Sequence, residues 1–529
     1  MGVPRHVWRP KACWVTASGL RGGVTGLAVL FGLATFGVAG AAESRGAAPA
    51  PRSLAELRGR IETHVGQARF RGALWSVRVD SLETGKTLFA HHPERLMSPA
   101  SNSKLYTGAL ALDVLGPEYR IVTPIFATGR PEVTGVLRGD VVVSGRGDPG
   151  WKSENRREDF WRIFEPFVGV LKAAGVRRIT GDLVADATFF RGAPNGAGWT
   201  ADDLNDYYGA EISAVSLEDN FADARVVPGA RMGEKCHIEL QQPHSGLVID
   251  NRLTTGAADG TRQVAAQRLI GENVVHFFGQ LPLGGKEENL RVTVPRPAEW
   301  FARALKEALA RSGIAVEGRP RSVRWPDAPA VADGAVRLGE VRSAPMRELV
   351  AAFMKPSQNL ETDLVFAHIG EARRTAATPA RRDSESLAVE ALREFLVRQR
   401  LPAEEVRFEE GSGLSRNNLT TANATVGLLT VMTRHPAAKE FADSLPVAGV
   451  DGTLRTRMKG TAAEGNVRAK TGSLRYANTL SGYVTSAAGE RLVFSLMLNR
   501  NTGQPANRNV REELDDVAVL LAQFAGRSE

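Results

Sequence analysis

The stretch from Ala100 to Leu115 leaves this chain the fewest options. Pro99 lies just outside its start, Gly116-Pro117 stops it, and apolar residues occupy every face between. The pattern predicts a helix buried on all sides, around which the rest must pack. Yet its first turn carries Ser101 and Lys104, three residues apart and so one turn away from each other on the same side. A hydroxyl at a helix start faces free backbone N–H groups that stabilise developing negative charge, so Ser101 is placed to act as a nucleophile or as a cap.

Two further patterns favour chemistry over capping. Lys104 is the only lysine in the chain with a serine three residues before it. Downstream come Ser357-Gln358-Asn359 and then Lys470-Thr471-Gly472-Ser473. Met346 to Met354 reads as a helix broken by Lys355-Pro356, and a second runs from Asn359 to Glu371, so the triplet falls on a loop between helices. That position selects it over the Ser-x-Asn copies at Ser153 and Ser415. Asn466 to Ser473, Leu480 to Thr485 and Leu492 to Leu498 read as strands, which puts Lys470 on a strand that a hairpin can pair.

With 529 residues, 43% apolar and 24% charged, the chain is long enough for about three globular domains. Residues 1–41 differ: Arg5, Arg9, Lys11 and Arg21 without an acid, an apolar stretch from Val24 to Val38, then Ala39-Gly40-Ala41. This is the pattern of a secretory signal peptide cleaved after Ala41, with a membrane anchor as its rival; the apolar run falls short of the ~20 residues needed to span a bilayer. Without those four cations the formal charge of +8 drops to about +4, which gives nucleic-acid binding little support. Cys13 leaves with the signal, and Cys236 then has no partner for an internal disulfide.

Further on, Ser53-Leu54-Ala55-Glu56 is a capping box opening a helix with Leu54, Leu57, Ile61 and Val65 on one stripe. Trp75 to Val79 and Leu88 to Ala90 form a hairpin leading to Ser101. Strands and turns prevail from Tyr119, a helix covers Pro297 to Arg311, and Arg319 to Gly334, with Pro320, Pro326 and Pro329, reads as a linker. Leu514, Val517, Leu521 and Phe524 mark a closing helix that packs on a core.

The ordered set Ser-x-x-Lys, Ser-x-Asn, Lys-Thr-Gly is the signature of penicillin-binding proteins and β-lactamases. Together with Gly147-Asp148-Pro149, Asp186-Ala187-Thr188-Phe189-Phe190, Gly411-Ser412-Gly413-Leu414-Ser415-Arg416 and Pro446 to Leu454, it makes nearly the whole mature chain resemble the D-alanyl-D-alanine carboxypeptidases of the penicillin-binding protein 4 type, peptidase family S13. The resemblance implies a multi-domain α/β protein. A transpeptidase-like α-β-α domain (43–118 and 335–529) would be interrupted by two nested β-rich domains, 119–212 with 293–334, and 213–292.

The implied activity is that of a periplasmic serine D-Ala-D-Ala carboxypeptidase, with cleavage of D-alanyl-diaminopimelate crosslinks as a companion. It would act on peptidoglycan stem peptides and be acylated by β-lactams, without metal or cofactor, nucleic acid, or a membrane span after signal cleavage. Ser101 must lose a proton to attack a carbonyl, and Lys104 can take it only if neutral, which burial and a second cation favour. Lys470 is the candidate second cation and, with Thr471, attracts the substrate's terminal carboxylate. Ser357 relays a proton to the leaving amine, and Asn359 holds Lys104 and the substrate amide. Resemblance further assigns the oxyanion hole to the backbone N–H groups of Ser101 and Ser473, next to Gly472.

It also implies a pocket for the diaminopimelate end of the stem, built from an acid and an aromatic five residues apart. Asp203 and Tyr208 fit that spacing, with Leu414, Arg416 and Leu474 completing it, and Asp202 and Asp206 as alternative acids. An Asp there binds the stem ammonium and the Arg its carboxylate. Departures from the family are Glu410 where Asp is common, the lead-in Pro356-Ser357-Gln358, and Arg475 after Leu474.

Rival signals carry less. Gly145-Arg146-Gly147-Asp148-Pro149-Gly150 matches a dinucleotide fingerprint but precedes no helix. Cys236-His237 lacks spaced metal-binding partners, and no serine sits in a Gly-x-Ser-x-Gly elbow. The alternatives are a β-lactamase or esterase of the same fold, for which the long insert has no use, and a non-catalytic wall-binding protein, in which one motif would be lost.

Overall fold

A computed structural model describes residues 49–153, 158–502 and 508–529. Residues 1–41, expected to be a signal peptide and including Cys13, lie outside the described residues. Ala50–Glu529 forms one unit built on two five-stranded and three three-stranded sheets.

The first five-stranded sheet holds, in spatial order, Arg468–Leu474, Ala477–Thr485, Arg491–Asn499, Leu74–Ser81 and Thr87–His91. Every pair is antiparallel, with Lys470 opposite Ser481 and Leu74 opposite Asn499. Strand Arg491–Asn499 is buried along both faces, and its residues divide between two cores. Phe494, Leu496 and Leu498 pack with Leu57, Ile61, Leu514, Val517 and Leu521 from helices Leu54–Val65 and Val510–Gln523. Val493 points the other way, into a core shared with Leu105, Leu110, Phe353, Phe366 and Leu429. Those residues belong to helices Ser103–Val114, Met346–Met354, Asn359–Ala372 and Ala422–Met432. Strand alternation thus places one helix layer on each side of the sheet.

The second large sheet runs Pro320–Arg324, Leu183–Ala187, Val141–Ser144, Val122–Ala127, Val336–Arg342, parallel over its first three strands and antiparallel beyond. Helices Glu165–Ala173 and Pro297–Arg311 cover it through Phe167, Leu171, Trp300 and Phe301. Residues 221–293 supply two small sheets around Phe277, Leu253, Val226 and the buried, unbridged Cys236.

Three expectations are corrected. Residues Arg319 to Gly334 are not all linker, since Pro320–Arg324 is an edge strand. Proline opening an edge strand forfeits no ladder bond, so prolines there do not mark a loop. Val336–Arg342, expected with the segment from 335 onward, pairs with Val122–Ala127 and so belongs to the second large sheet. In the first helix the cap Ser53 accepts from the Glu56 N–H as expected, but the Glu56 carboxylate accepts from Arg52 N–H, one residue before the cap.

Candidate active site

The predicted central helix begins with a tighter turn: Ala100–Asn102 is 3₁₀ and the α-helix proper is Ser103–Val114. Ala100 holds a left-handed φ of +48°, an uncommon conformation for a residue with a Cβ. The turn is pinned from several sides. Asn102 Nδ2 donates to Ser481 Oγ at 2.7 Å, and Thr479 Oγ1 to Pro99 O at 2.8 Å, both from the first sheet. Gly472 allows that closeness, because a Cβ there would lie 2.6 Å from Pro99 O and 3.1 Å from Ala100 Cβ. Gly413, at φ +85°, does the same for the opposite wall, where a Cβ would fall 1.9 Å from Ala100 O.

Ser101 is half-buried, and the groups beside it are closed off. Lys104, fully buried, donates from Nζ to Ser101 Oγ (3.1 Å), Asn359 Oδ1 (2.7 Å) and the carbonyl of Ser412 (2.6 Å). Those three acceptors match the three donors of an ammonium. Lys470, equally buried, donates to Ser357 Oγ (2.7 Å) and Thr471 O (2.8 Å). Ser357 sits between its two helices, as expected, with a left-handed φ of +67°. Thr471 Oγ1 donates to Thr453 Oγ1 at 2.8 Å. Ser473 is exposed at the strand end, with Oγ 3.3 Å from Asn478 Oδ1.

Burial pushes both lysines down. Lys104 falls only to about 8, because Asp363 and Glu410 lie near enough to favour its charge. Lys470 is pushed well below the ordinary lysine range by burial and then by the positive charge of Lys104, and it has no ion pair among the described residues.

The sequence did not reveal these supports. Glu410 is wholly buried, and its carboxylate accepts from the N–H groups of Ser412 (3.0 Å) and Gly413 (2.8 Å) and from Asn418 Nδ2 (2.8 Å), besides Ser412 Oγ. It therefore shapes the loop whose Ser412 carbonyl holds Lys104. Asp363, buried one turn after Asn359, accepts from Gly411 N–H at 3.2 Å, and burial followed by repulsion from Glu410 raises its pKa well above the carboxylate range. For Asp363 the available signal was an acid inside a largely apolar helix, whereas Glu410 lies on a loop that gives no such signal.

Of the stem-pocket candidates, Asp203, Arg416 and Leu414 meet, but differently from the expected picture. Asp203 is buried, with Oδ1 2.9 Å from an Arg416 guanidinium nitrogen, while Oδ2 accepts from Thr200 N–H and Oγ1 at 2.8 and 2.9 Å. Arg416 N–H donates to Gly198 O at 3.1 Å, and its guanidinium to Leu414 O at 2.5 Å. Asp203 thus orients Arg416 and has less free oxygen for an ammonium than expected. Tyr208 faces Asn359 with its carbonyl, which accepts from Asn359 Nδ2 at 3.0 Å, while its hydroxyl donates to Asp206 at 2.6 Å. Leu414 is buried and Leu474 half-buried.

Among the described residues, His64, Glu513 and Asp516 bring metal-ligand atoms within 4.8 Å of one another. Glu513 is already paired with Arg69 at 2.8 Å and Arg508 at 2.9 Å, so its charge is met without an ion.

Residues 57–521 match the model of the D-Ala-D-Ala carboxypeptidase 3 (S13) family. A D-alanyl-D-alanine carboxypeptidase from an Actinomadura species is 34% identical over 484 residues, covering 89% of this chain and 86% of that protein. The D-alanyl-D-alanine carboxypeptidase DacB of Haemophilus influenzae is 27% identical over 424 residues, covering 79% and 84%. A crystal structure of penicillin binding protein 4 from the same organism shares the fold, with a TM-score of 0.73 at 24% identity over 87% of this chain and 97% of that one.

Proposed function

The chain belongs to the D-Ala-D-Ala carboxypeptidase 3 (S13) family and is a serine-type carboxypeptidase, and from that premise we propose how its residues carry out the reaction. Ser101 Oγ attacks the carbonyl of the terminal D-Ala-D-Ala bond of a peptidoglycan stem peptide. Lys104 takes its proton, and the N–H groups of Ser101 and Ser473 hold the developing oxyanion. Ser357 passes a proton to the leaving D-alanine amine, and water then hydrolyses the acyl-enzyme. Asn359 aligns Lys104 and the stem amide.

One observation carries this reading: two buried lysines, one on Ser101 and the other on Ser357, share a crevice in which acids lie near Lys104 and none offsets the burial of Lys470. In the free enzyme the positive charge resides on Lys104. A terminal carboxylate arriving at Lys470 and Thr471 supplies the missing anion and draws charge to Lys470. Repulsion then leaves Lys104 neutral and able to act as base. The substrate thereby activates its own nucleophile. β-Lactams, which carry an equivalent carboxylate, acylate Ser101 by the same route.

The inserted segment 119–212 reaches the crevice through Tyr208, whose carbonyl accepts from Asn359, and through Asp203, which with Arg416 reads the diaminopimelate side chain. Periplasmic action belongs to the same proposal; no helix among the described residues is long and apolar enough to cross a membrane. Incubation with muropeptides followed by mass spectrometry tests it. Loss of one D-alanine from pentapeptides is expected, and splitting of crosslinked dimers marks the endopeptidase companion. Intact pentapeptides, with no covalent label from penicillin, overturn it.

A further inference from the structure

Away from Ser101, a cavity of about 990 Å³ opens between the second large sheet, the segment 191–197 and the start of helix Ser384–Arg398. That volume suits a small organic ligand. None of the catalytic residues lines it.

Its charges do not balance internally. Glu385 lines the cavity, yet its Oε1 is closed off from solvent and has no hydrogen-bond partner among the described residues. A carboxylate held this way calls for a cation or a proton. The carboxylates near it have other work. Asp383 caps the helix by accepting from Ser386 N–H at 2.6 Å, and Glu409 accepts from Asn417 Nδ2 at 2.8 Å. Burial, then repulsion from Glu410, Asp383 and Glu409, raises the Glu385 pKa well above the carboxylate range.

The same cavity presents Arg191 and Arg324, neither of which has an ion pair among the described residues, whereas its other arginines, Arg296 and Arg382, are paired with Glu299 and Glu390. Phe190, Phe408 and Trp325 give it apolar wall. A divalent metal ion is a poor match, since it requires about six oxygens and would meet two guanidinium groups that no carboxylate pairs among the described residues, of which that of Arg191 donates only to the Ala380 carbonyl at 3.5 Å. A single molecule bearing both an ammonium and a carboxylate satisfies all three unmatched side chains.

We propose that this cavity is a second binding site, separate from the catalytic crevice, for a zwitterionic amino acid or short peptide whose ammonium pairs with Glu385 and whose carboxylate pairs with Arg191 and Arg324. Occupancy is independent of turnover at Ser101.

Titration calorimetry on the full chain tests this with L-lysine and meso-diaminopimelate as probes, and with cadaverine and glutarate as the amine-only and carboxylate-only controls. One-to-one binding is expected for at least one zwitterion, with each control weaker by roughly tenfold or more. Glu385→Gln and, separately, the less buried Arg191→Ala should each weaken that zwitterion by about tenfold or more. Binding should persist in Ser101→Ala and after penicillin treatment. Absence of binding by both zwitterions at millimolar concentration, or cadaverine binding as tightly as lysine, overturns the proposal. So does unchanged affinity in the Arg191 variant, which remains informative if Glu385→Gln fails to fold.

Discussion

Lys104 Nζ lies 3.1 Å from Ser101 Oγ, and its other two donors end on Asn359 Oδ1 and the Ser412 carbonyl. The amine is therefore held by three different segments and aimed at one hydroxyl. The base role proposed for it depends on losing a proton without losing that aim.

Replacing Lys104 with Ala should lower the rate of Ser101 acylation by roughly 10³–10⁴-fold, the scale of a lost general base. Two acceptors, on Asn359 and Ser412, lose their donor, so stability should fall by about 1–3 kcal/mol. Labelled penicillin followed over time, together with a denaturant melt, checks both. Acylation at the parent rate would remove Lys104 from the base role.

The pH profile separates a shared charge from a simple neutral base. The active state holds one proton between Lys104 and Lys470, and the pair titrates in macroscopic steps. Above about 8 the last proton leaves Lys104, so kcat/KM for a stem peptide should fall with a midpoint there. On the acid side a second proton on Lys470 should lower the rate again, the position of that limb being set by burial and then by the charge of Lys104. A rate that keeps climbing from pH 8 to 10 would mean that no retained charge is needed.

Gly472→Ala tests the packing of the strand against the nucleophile turn. The new Cβ would meet Pro99 O at 2.6 Å and Thr479 Oγ1 at 2.2 Å. Overpacking of this kind costs about 1–3 kcal/mol, and displacement of the turn by even ~1 Å should cost ~10²-fold in kcat. Parent-like kinetics with a parent-like melting temperature would show that the sheet gives way freely.

Asp203→Asn keeps the shape of the side chain while removing the charge that orients Arg416. Hydrolysis of diaminopimelate-containing stems should weaken by roughly tenfold or more, chiefly in KM, while penicillin acylation stays within about threefold. An equal loss with both substrates would indicate a general structural role instead of a reader of the stem.

Much of the site was legible because its parts are local. Ser101 and Lys104 lie one helical turn apart, and proline and glycine punctuation bounds their segment. Lys355-Pro356 breaks a helix and leaves Ser357 on a loop, while Leu480 to Leu498 shows the run of apolar residues of a strand pair buried on both faces. These are decided within a few residues by backbone preference and hydrophobic period.

Tertiary structure alone decided which groups meet across long loops. That the Ser412 carbonyl takes the third Lys104 hydrogen bond, that Asp203 spends its charge on Arg416, and that Pro320–Arg324 joins a sheet at its edge all depend on partners far away in the chain. Such contacts leave no local period because either partner could serve elsewhere with the same propensity. The sequence by itself therefore determined the helix, the strands and the reactive side chains of this protein. Packing determined their charges, since burial of Lys104 and Lys470 in one crevice sets their protonation.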